Sequence, residues 1–450
     1  MNGNKWKASA FFLIFLTALC LASCASGATE AENLTAECKI KLCAKGQQVK
    51  RITDEDYRTY WESGKMKSPY VTIHSERPIY GLYLCFQKKP DAYEIQGKNG
   101  TTLAAGDTRY HHVFYALKGE TDLRIQALGD GKITMGFNEI FAFGEGDIPG
   151  WVQRWEEPEG ETDLLFLAAH PDDELLFMGS AIATAALVDH RNVQVAYLTP
   201  SNTTRRSEAL NGLWTLGLRR YPEFGPYSDR YAKTGKLQDA YDMIKGGKKE
   251  VRRWVTEMIR KYRPKVMVTH DLNGEYGHPQ HKMLADAAAA SFELAAEPEQ
   301  YPESAQAYGT WQVQKLYLHL YGGEEDQTRF DWSIPRAEFG GLTANELSQK
   351  AFEMHVTQAG MGKKYNGKLV PFSVEDTVSS AIRTTALDCI SVRSGRIRHT
   401  TIFWRIPARW MRDNEKDLDL ADDSGAAVGD GFSGSRGDAV HTGMGGSDTE

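Results

Sequence analysis

Two short segments of this chain concentrate imidazole and carboxylate side chains. The first is Ala169-His170-Pro171-Asp172-Asp173-Glu174; the second runs His270-Asp271-Leu272-Asn273-Gly274-Glu275-Tyr276-Gly277-His278-Pro279-Gln280-His281. Such ligand types suit zinc, and a catalytic zinc typically keeps three protein ligands plus a water. His170, Asp173 and His281 supply that set, which leaves Asp172 unligated and free to take a proton from water. Adjacent carboxylates are useful here because successive loop residues point in different directions. Each residue also has a plainer role open to it. Asp172 or Asp173 can cap a helix, Glu174 can sit where a helix dipole favours an acid, and His281 can lie on a helix surface.

Both segments follow apolar runs that read as strands. The run 163–169 delivers the first, and an alanine-rich helical stretch, 175–190, follows it. The run 265–269 delivers the second, with a helix over about 280–290 behind it. Between them lie a strand at 193–198, a helix at 205–218 and a charged helical region broken at Gly246-Gly247; a strand at 316–321 and a helix at 344–355 come later. This alternation predicts an α/β fold over 163–410, a Rossmann-like doubly wound parallel sheet covered on both faces. In such sheets ligands gather at the carboxyl ends of strands, so the two loaded loops can meet over one sheet edge.

Together the two motifs resemble the PIG-L/LmbE-like zinc de-N-acetylases, a family that includes glucosaminyl-phosphatidylinositol, mycothiol-pathway and bacillithiol-pathway deacetylases. Its signatures are Ala-His-Pro-Asp-Asp-Glu after the first strand and Gly-His-Pro-x-His later, and they stand here at 169–174 and 277–281. The resemblance covers roughly 163–290 and, more loosely, the late helix through His355 and Gln358. It implies zinc at His170, Asp173 and His281, Asp172 as general base, His278 as a second catalytic histidine, and Tyr276 as a group that polarises the amide carbonyl. Arg205 and Glu208 resemble the family's Arg-x-x-Glu, whose arginine faces the sugar; a helix cap with a surface salt bridge is the other reading of that pair. Many bacterial members carry aspartate where this chain has Gln280. A neutral amide there can orient His278 but cannot stabilise its charged form as a carboxylate would, so a different catalytic tuning is expected.

Ahead of this layer, residues 46–146 have another character. Strand-like runs at 71–73, 82–86, 112–117, 123–127 and 133–143 are separated by Gly97, Gly106, Gly119 and the Gly129-Asp130-Gly131 cluster, which predicts a smaller β-sandwich-like accessory domain. Residues 147–162, with Pro149, Gly150, Pro158, Gly160 and four glutamates, read as a linker. His111, His112, His319 and His399 lie in strand-like runs and read as structural. Trp61, Tyr80, Tyr83 and Tyr115 are aromatics that either pack the β-rich core or present themselves to a sugar.

The chain has 450 residues, 41% of them hydrophobic and 25% charged, values that fit more than one packed domain. Its start carries Lys5 and Lys7, an apolar run over 11–21, and Leu21-Ala22-Ser23-Cys24, which resembles a bacterial lipobox. The resemblance implies a signal peptide at 1–23, a lipid on Cys24, a tether at 24–45, and an exported protein held at the membrane; a plain secretory signal is the other reading. Nothing later offers a membrane-spanning apolar run. Cys38, Cys43, Cys85 and Cys389 leave three complete pairings open, and Cys85 equally reads as a buried thiol. Residues 411–450 read as a disordered acidic, Gly- and Ser-rich tail. Three basic residues stand there against ten acidic ones, so the tail accounts for the whole net charge of −7. A neutral body lacks the basic face that attracts nucleic acid.

The expectation is therefore a surface-tethered zinc hydrolase that removes the N-acetyl group of an N-acetylglucosamine-type amino sugar or glycoconjugate. The alternative is a carbohydrate-binding surface lipoprotein whose deacetylase domain is weak or inactive; zinc binding without turnover separates the two. Metal-dependent phosphoester hydrolysis is disfavoured, because a phosphate-cradling glycine loop and the carboxylates for a two-metal site are both missing.

Overall fold

The computed structural model describes residues 29–44, 48–158, 160–200, 202–230, 234–319 and 332–358, with the backbone of three later strands. The expected signal peptide with Cys24, the expected tail at 411–450, His399 and the Cys389 side chain lie outside the described residues. Among those described, no helix is long and apolar enough to cross a membrane.

The first layer is built from β1 (Lys39–Leu42), β2 (Trp61–Glu62), β3 (Met66–Lys67), β4 (Tyr70–Lys88), β5 (Tyr93–Gln96), β6 (Thr102–Ala105), β7 (His112–Ala127), β8 (Lys132–Ile133) and β9 (Gly136–Phe143). Seven of these make one antiparallel sheet in the order β2-β9-β4-β7-β5-β6, with β1 beside β4, and β3 pairs with β8. The architecture is β-sandwich-like, as expected, but the strands are longer than their apolar runs. β4 joins 71–73 to 82–86, and β7 joins 112–117 to 123–127. Gly119 is thus no turn between strands: it sits inside β7 at φ 95°, with the Tyr80 ring against it. Register shifts around Ile79 bend β4 at the same level, so its first half pairs with β1 and its second half with β9. Ile73, Leu82, Leu84, Phe86, Ile125 and Phe137 are fully buried in the resulting core.

The second layer follows as β10 (Leu164–Ala168), α1 (Asp173–Phe177), α2 (Gly179–Ala183), β11 (Val193–Tyr197), α3 (Thr203–Leu216), β12 (Glu223–Phe224), α4 (Leu237–Asp242), α5 (Gly247–Tyr262), β13 (Val266–Thr269), α6 (Pro279–Leu294), α7 (Pro302–Tyr308), β14 (Lys315–His319), α8 (Ala344–Phe352), β15 (Gly362–Tyr365), β16 (Lys368–Pro371) and β17 (Leu387–Val392). The sheet order is β12-β11-β10-β13-β14-β17, and its first five strands are parallel. β17 closes one edge antiparallel, while β15 and β16 pair separately. From central β10 the chain steps outward to β11 and β12, then returns to the other side for β13 and β14. The crevice between the carboxyl ends of β10 and β13 is where the winding reverses, the usual ligand position in such sheets.

Local chemistry explains the helices. The Asn202 side chain accepts the Arg205 N–H at 3.1 Å to start α3, and α8 opens with a capping box between Thr343 and Glu346. In α5, Val251, Trp254, Val255, Met258, Ile259 and Tyr262 form one buried stripe at helical spacing. Buried Arg260 on the same helix donates to the carbonyls of Leu294, Ala295, Glu297, Gln300 and Tyr301, fastening the end of α6 to the start of α7.

The helix expected at 175–190 is broken into α1, α2 and a π-helical turn at Thr184–Val188. The break falls at Met178 (φ −128°, ψ −5°), next to Gly179, where α8 packs so close that a Cβ would fall 1.9 Å from Ser348 Oγ. Ser348 Oγ in turn donates to the Leu175 carbonyl at 2.8 Å. Residues 147–162 also carry more than linker chemistry. Trp155 packs edge-on against Trp214 and Tyr221, Gln153 donates to Asn211 at 2.6 Å, and Trp214 donates to the Gly150 carbonyl. Cys38, Cys43 and Cys85 are free thiols, and burial pushes the pKa of Cys85 up.

Candidate metal centre and active site

The loop after β10 turns abruptly into α1, and its backbone shows the cost. Asp172 holds φ 123° at the N-cap position, a strained value for a residue with a Cβ, yet its side chain makes no capping bond. Its neighbours satisfy the loop instead. Asp173 Oδ2 accepts the His170 backbone N–H at 2.8 Å and lies 3.0 Å from His170 Nδ1, while Glu174 Oε2 accepts the Asp172 N–H at 2.8 Å. The Asp172 carboxylate is left to face Arg205.

The loop after β13 reaches the same crevice. Pro279 begins α6 at a position that needs no N–H donor, and the first turn buries Gln280 and His281. His281 Nε2 lies 3.2 Å from Asp173 Oδ1, and its Nδ1 lies 2.8 Å from Glu275 Oε2. Fully buried Glu275 is a hub: His270 Nδ1 meets the same oxygen at 2.8 Å, and His319 Nδ1, from the end of β14, meets Oε1 at 2.8 Å. One carboxylate thereby ties together three imidazoles from two strand ends and a helix start.

Among the described residues, two overlapping groups bring possible metal-binding atoms within 4.8 Å of one another: His170, His278 and His281, and Asp173, His270 and His281. The set expected from the sequence, His170, Asp173 and His281, shares two members with each. His270 is a poor ligand, because its Nε2 accepts the Ala169 N–H at 3.0 Å while its Nδ1 faces Glu275. The remaining donors fit a divalent ion: ionised Asp173 lies between the imidazoles of His170 and His281, 3.0 and 3.2 Å away.

Electrostatics agree with that fit. Burial works to raise the pKa of Asp173, but His281 and His170 outweigh it and hold the carboxylate well below its usual range. Glu275 is likewise held low, against its burial, by His270, His281 and His319. Burial works to lower His281, yet Asp173 and Glu275 raise it to about 10. His278 goes the other way: burial, then repulsion from His281 and His170, bring it to about 2 and keep it neutral. Asp172 rises to about 7 through burial, with Arg205 opposing the rise and Asp173 adding to it.

The structure therefore brings His170, Asp172, Asp173, His278 and His281 together. Tyr276 stands at the mouth, 37% exposed and in a left-handed backbone conformation, with its ring 5.7 Å from that of His278. Arg205 turns to Asp172 and donates to the Pro171 carbonyl, and it does not pair with Glu208. Glu208 is buried and takes both the N–H and the hydroxyl of Thr357 at 2.7 Å. Gln280 corrects an expectation: its Oε1 accepts from His170 Nε2 at 2.7 Å, so it orients His170 rather than His278. His278 is the extended N-cap, outside the helix on which Gln280 sits, so the two side chains leave the backbone in different directions.

Glu275, His270, His319, His355 and Asp229 were not assigned to the site by sequence reasoning. His355 lies 3.3 Å from Glu174, and Asp229 lies 3.7 Å from His170. His270 and Glu275 stand in the second loaded segment and His355 in the late helix of the family resemblance, but no local pattern gave them a role in the site.

Comparison with known proteins adds a family. Residues 165–292, from β10 to the end of α6, match the model described as PIG-L: GlcNAc-PI de-N-acetylase. The 1D-myo-inositol 2-acetamido-2-deoxy-alpha-D-glucopyranoside deacetylase of Streptomyces avermitilis is 30% identical over 216 residues, 40% of this chain and 70% of that protein. Deacetylase 1 of the same description from Frankia casuarinae is 30% identical over 180 residues, 34% of this chain and 57% of its own. The chain thus spans a little over half the length of the first curated relatives it matches. Among solved structures, the N,N'-diacetylchitobiose deacetylase from Pyrococcus horikoshii aligns with 44% of this chain and 70% of its own, at 21% identity and a TM-score of 0.33.

Proposed function

We propose, for a chain that belongs to the PIG-L family of de-N-acetylases, that it hydrolyses the N-acetyl amide of an N-acetylglucosamine-type amino sugar or glycoconjugate. The observation that carries this reading is the division of labour between neighbouring carboxylates: Asp173 joins His170 and His281, while the strained Asp172 caps nothing. The family match over both loops and the relatives named above support it.

His170, Asp173 and His281 would hold a zinc ion, which supplies Lewis acidity and a water of lowered pKa. Asp172 accepts a proton from the attacking water, and Arg205, 3.0 Å away, favours its ionised form against burial and aims the carboxylate. His278, neutral through burial, offers its unpartnered Nδ1 side to the reacting amide. Tyr276 flanks the carbonyl from the mouth of the site. The proton held by Asp172 passes to the amide nitrogen as the carbon–nitrogen bond breaks, which gives acetate and a free amine.

The test is acetate release from N-acetylglucosamine, chitooligosaccharides, N-acetylglucosaminyl glycolipid headgroups and cell-wall fragments, with Asp172→Asn as the control. Turnover of at least one substrate by the wild type and not by the variant supports the reading; zinc binding without turnover of any favours a carbohydrate-binding role.

The proposal includes the cell surface as the setting, with residues 1–23 removed and lipid on Cys24. Its support is the Leu21-Ala22-Ser23-Cys24 pattern alone. Cys24→Ala should move the protein out of the membrane fraction, and unchanged detergent partitioning would refute lipidation.

A further inference from the structure

Away from the metal centre, a cleft of about 330 Å³ opens between the β-rich layer and the edge of the parallel sheet. Residues just before β7 form one wall, the start of α3 and the β12 edge form the other, and no member of the catalytic set lines it. Its volume lies at the small end of the roughly 300–1,000 Å³ found for small-molecule sites.

One charge on its walls lacks a local partner. Of the three cationic side chains that line it, Arg109, Arg206 and Lys261, two are held in ion pairs and the third is not. Arg109 is spent on Asp107 and Glu157, and Lys261 on Glu223 at 2.6 Å. Arg206 has no ion-pair partner among the described residues, and its buried Nε has no hydrogen-bond partner. Its guanidinium lies 5.4 Å from the centre of the Phe224 ring. Burial lowers its pKa without any carboxylate to offset the cost. Lys89 adds positive potential nearby while donating to the Thr108 and Tyr110 carbonyls. Burial, Lys89 and Arg206 together hold His111 near 3, so it brings no compensating charge of either sign.

The remaining surface suits a sugar. Tyr110 and Tyr221 line the cleft with their rings packed on each other, 4.8 Å apart at 51°, so they offer ring edges and amphipathic surface to a ligand rather than open faces. The Tyr221 hydroxyl already accepts the His111 backbone N–H at 3.1 Å, which leaves its own hydrogen to donate. A planar guanidinium matches a carboxylate through two parallel hydrogen bonds.

We propose that this cleft binds a saccharide unit carrying one carboxylate, with Arg206 taking the carboxylate and Tyr110 and Tyr221 taking the ring. Arg206, the one lining cation without an ion pair, matches one negative charge, whereas a phosphate monoester brings about −1.5 to −2 at neutral pH. The inference does not rest on deacetylation.

Calorimetric titration of the full metal-loaded chain tests it with three probes that lack an acetamide. They are a glucuronosyl-glucose disaccharide, the same disaccharide with its carboxylate converted to the amide, and glucose 6-phosphate. The acid should bind saturably, and the amide at least about tenfold more weakly. Arg206→Gln should lose about tenfold or more in affinity for the acid, as expected for a charge-assisted pair. Tyr110→Ala should weaken acid and amide alike. An unchanged melting temperature and zinc content in Arg206→Gln certify the fold; should that variant fail to fold, Arg206→Lys, which keeps the charge and loses the fork, should still bind the acid more weakly. Equal affinity for acid and amide, or unchanged acid affinity in the folded arginine variant, overturns the proposal. Tighter binding of the phosphate, or no binding of any probe, overturns it as well.

Discussion

The guanidinium of Arg205 lies 3.0 Å from the Asp172 carboxylate and also donates to the Pro171 carbonyl, clamping the first turn of α3 onto the loop that precedes α1. Both side chains are largely buried, so the contact is poorly screened by water. Burial drives the pKa of Asp172 to about 7, and Arg205 is the nearest group that opposes the rise. A general base works only when ionised, so activity should climb as pH rises through the Asp172 pKa.

Removing the opposing charge should raise that pKa further. Arg205→Met is expected to move the acid limb of kcat/KM to higher pH, by on the order of one unit or more for a cation lost from contact distance. Arg205→Lys should recover part of the displacement. An acid limb that stays put in Arg205→Met would mean that another group controls it.

The two neighbouring carboxylates should separate experimentally. Asp172→Asn is expected to retain about one zinc per chain yet lose at least roughly a hundredfold in rate. His170→Ala should lose the zinc, as measured by elemental analysis of purified protein. Full metal content and turnover in His170→Ala would contradict the ligand assignment.

Metal uptake should release protons. Without an ion, His281 stays protonated up to about 10 because Asp173 and Glu275 outweigh its burial. An ion needs the neutral imidazole, so apparent affinity should fall as pH is lowered, by about tenfold per unit for one displaced proton. Titration of the apoprotein at about pH 6 and about pH 8, in buffers of different ionisation enthalpy, reads both effects. An affinity independent of pH would exclude His281 as a ligand.

Glu275 touches no substrate, but it holds Nδ1 of His281 and fixes which nitrogen faces Asp173. Glu275→Gln should cost about 10- to 100-fold in zinc affinity, the range seen when a partner of a metal-bound histidine is lost. Competition with a chelator measures it, and kcat at saturating zinc should fall less than affinity does. Unaltered zinc affinity in a folded variant would reduce Glu275 to a packing role.

Gly179→Ala should destabilise the fold by about 1–3 kcal/mol, since the new methyl meets Ser348 Oγ and the α2–α8 contact cannot open freely. Ser348→Ala removes the obstructing atom along with the bond to Leu175, so the double variant should be less destabilised than the two single changes added together. Thermal melting of the four proteins decides this, and strict additivity would mean that α8 simply shifts.

The chain's linear order determined a good deal. His170, Asp172 and Asp173 fall within four consecutive residues, and His278 and His281 lie three apart; both groups follow apolar strands, so their arrival at the carboxyl edge of a parallel sheet follows from local pattern and the geometry of α/β winding. Strand–helix alternation likewise made the five parallel strands legible. What local pattern could not contain is which strand lies beside which. Sheet order β10-β13-β14 puts His319 on Glu275 across 44 residues, the approach of α3 puts Arg205 on Asp172, and the first turn of α6 sends Gln280 to His170, 110 residues away. Close packing of α8 on Gly179, which leaves no room for a side chain, is likewise a tertiary fact that the local pattern after Asp173 did not contain. Motif spacing is set along the backbone within a few residues, whereas the partners that tune charge come from side chains meeting through space, and only the packed fold specifies those meetings.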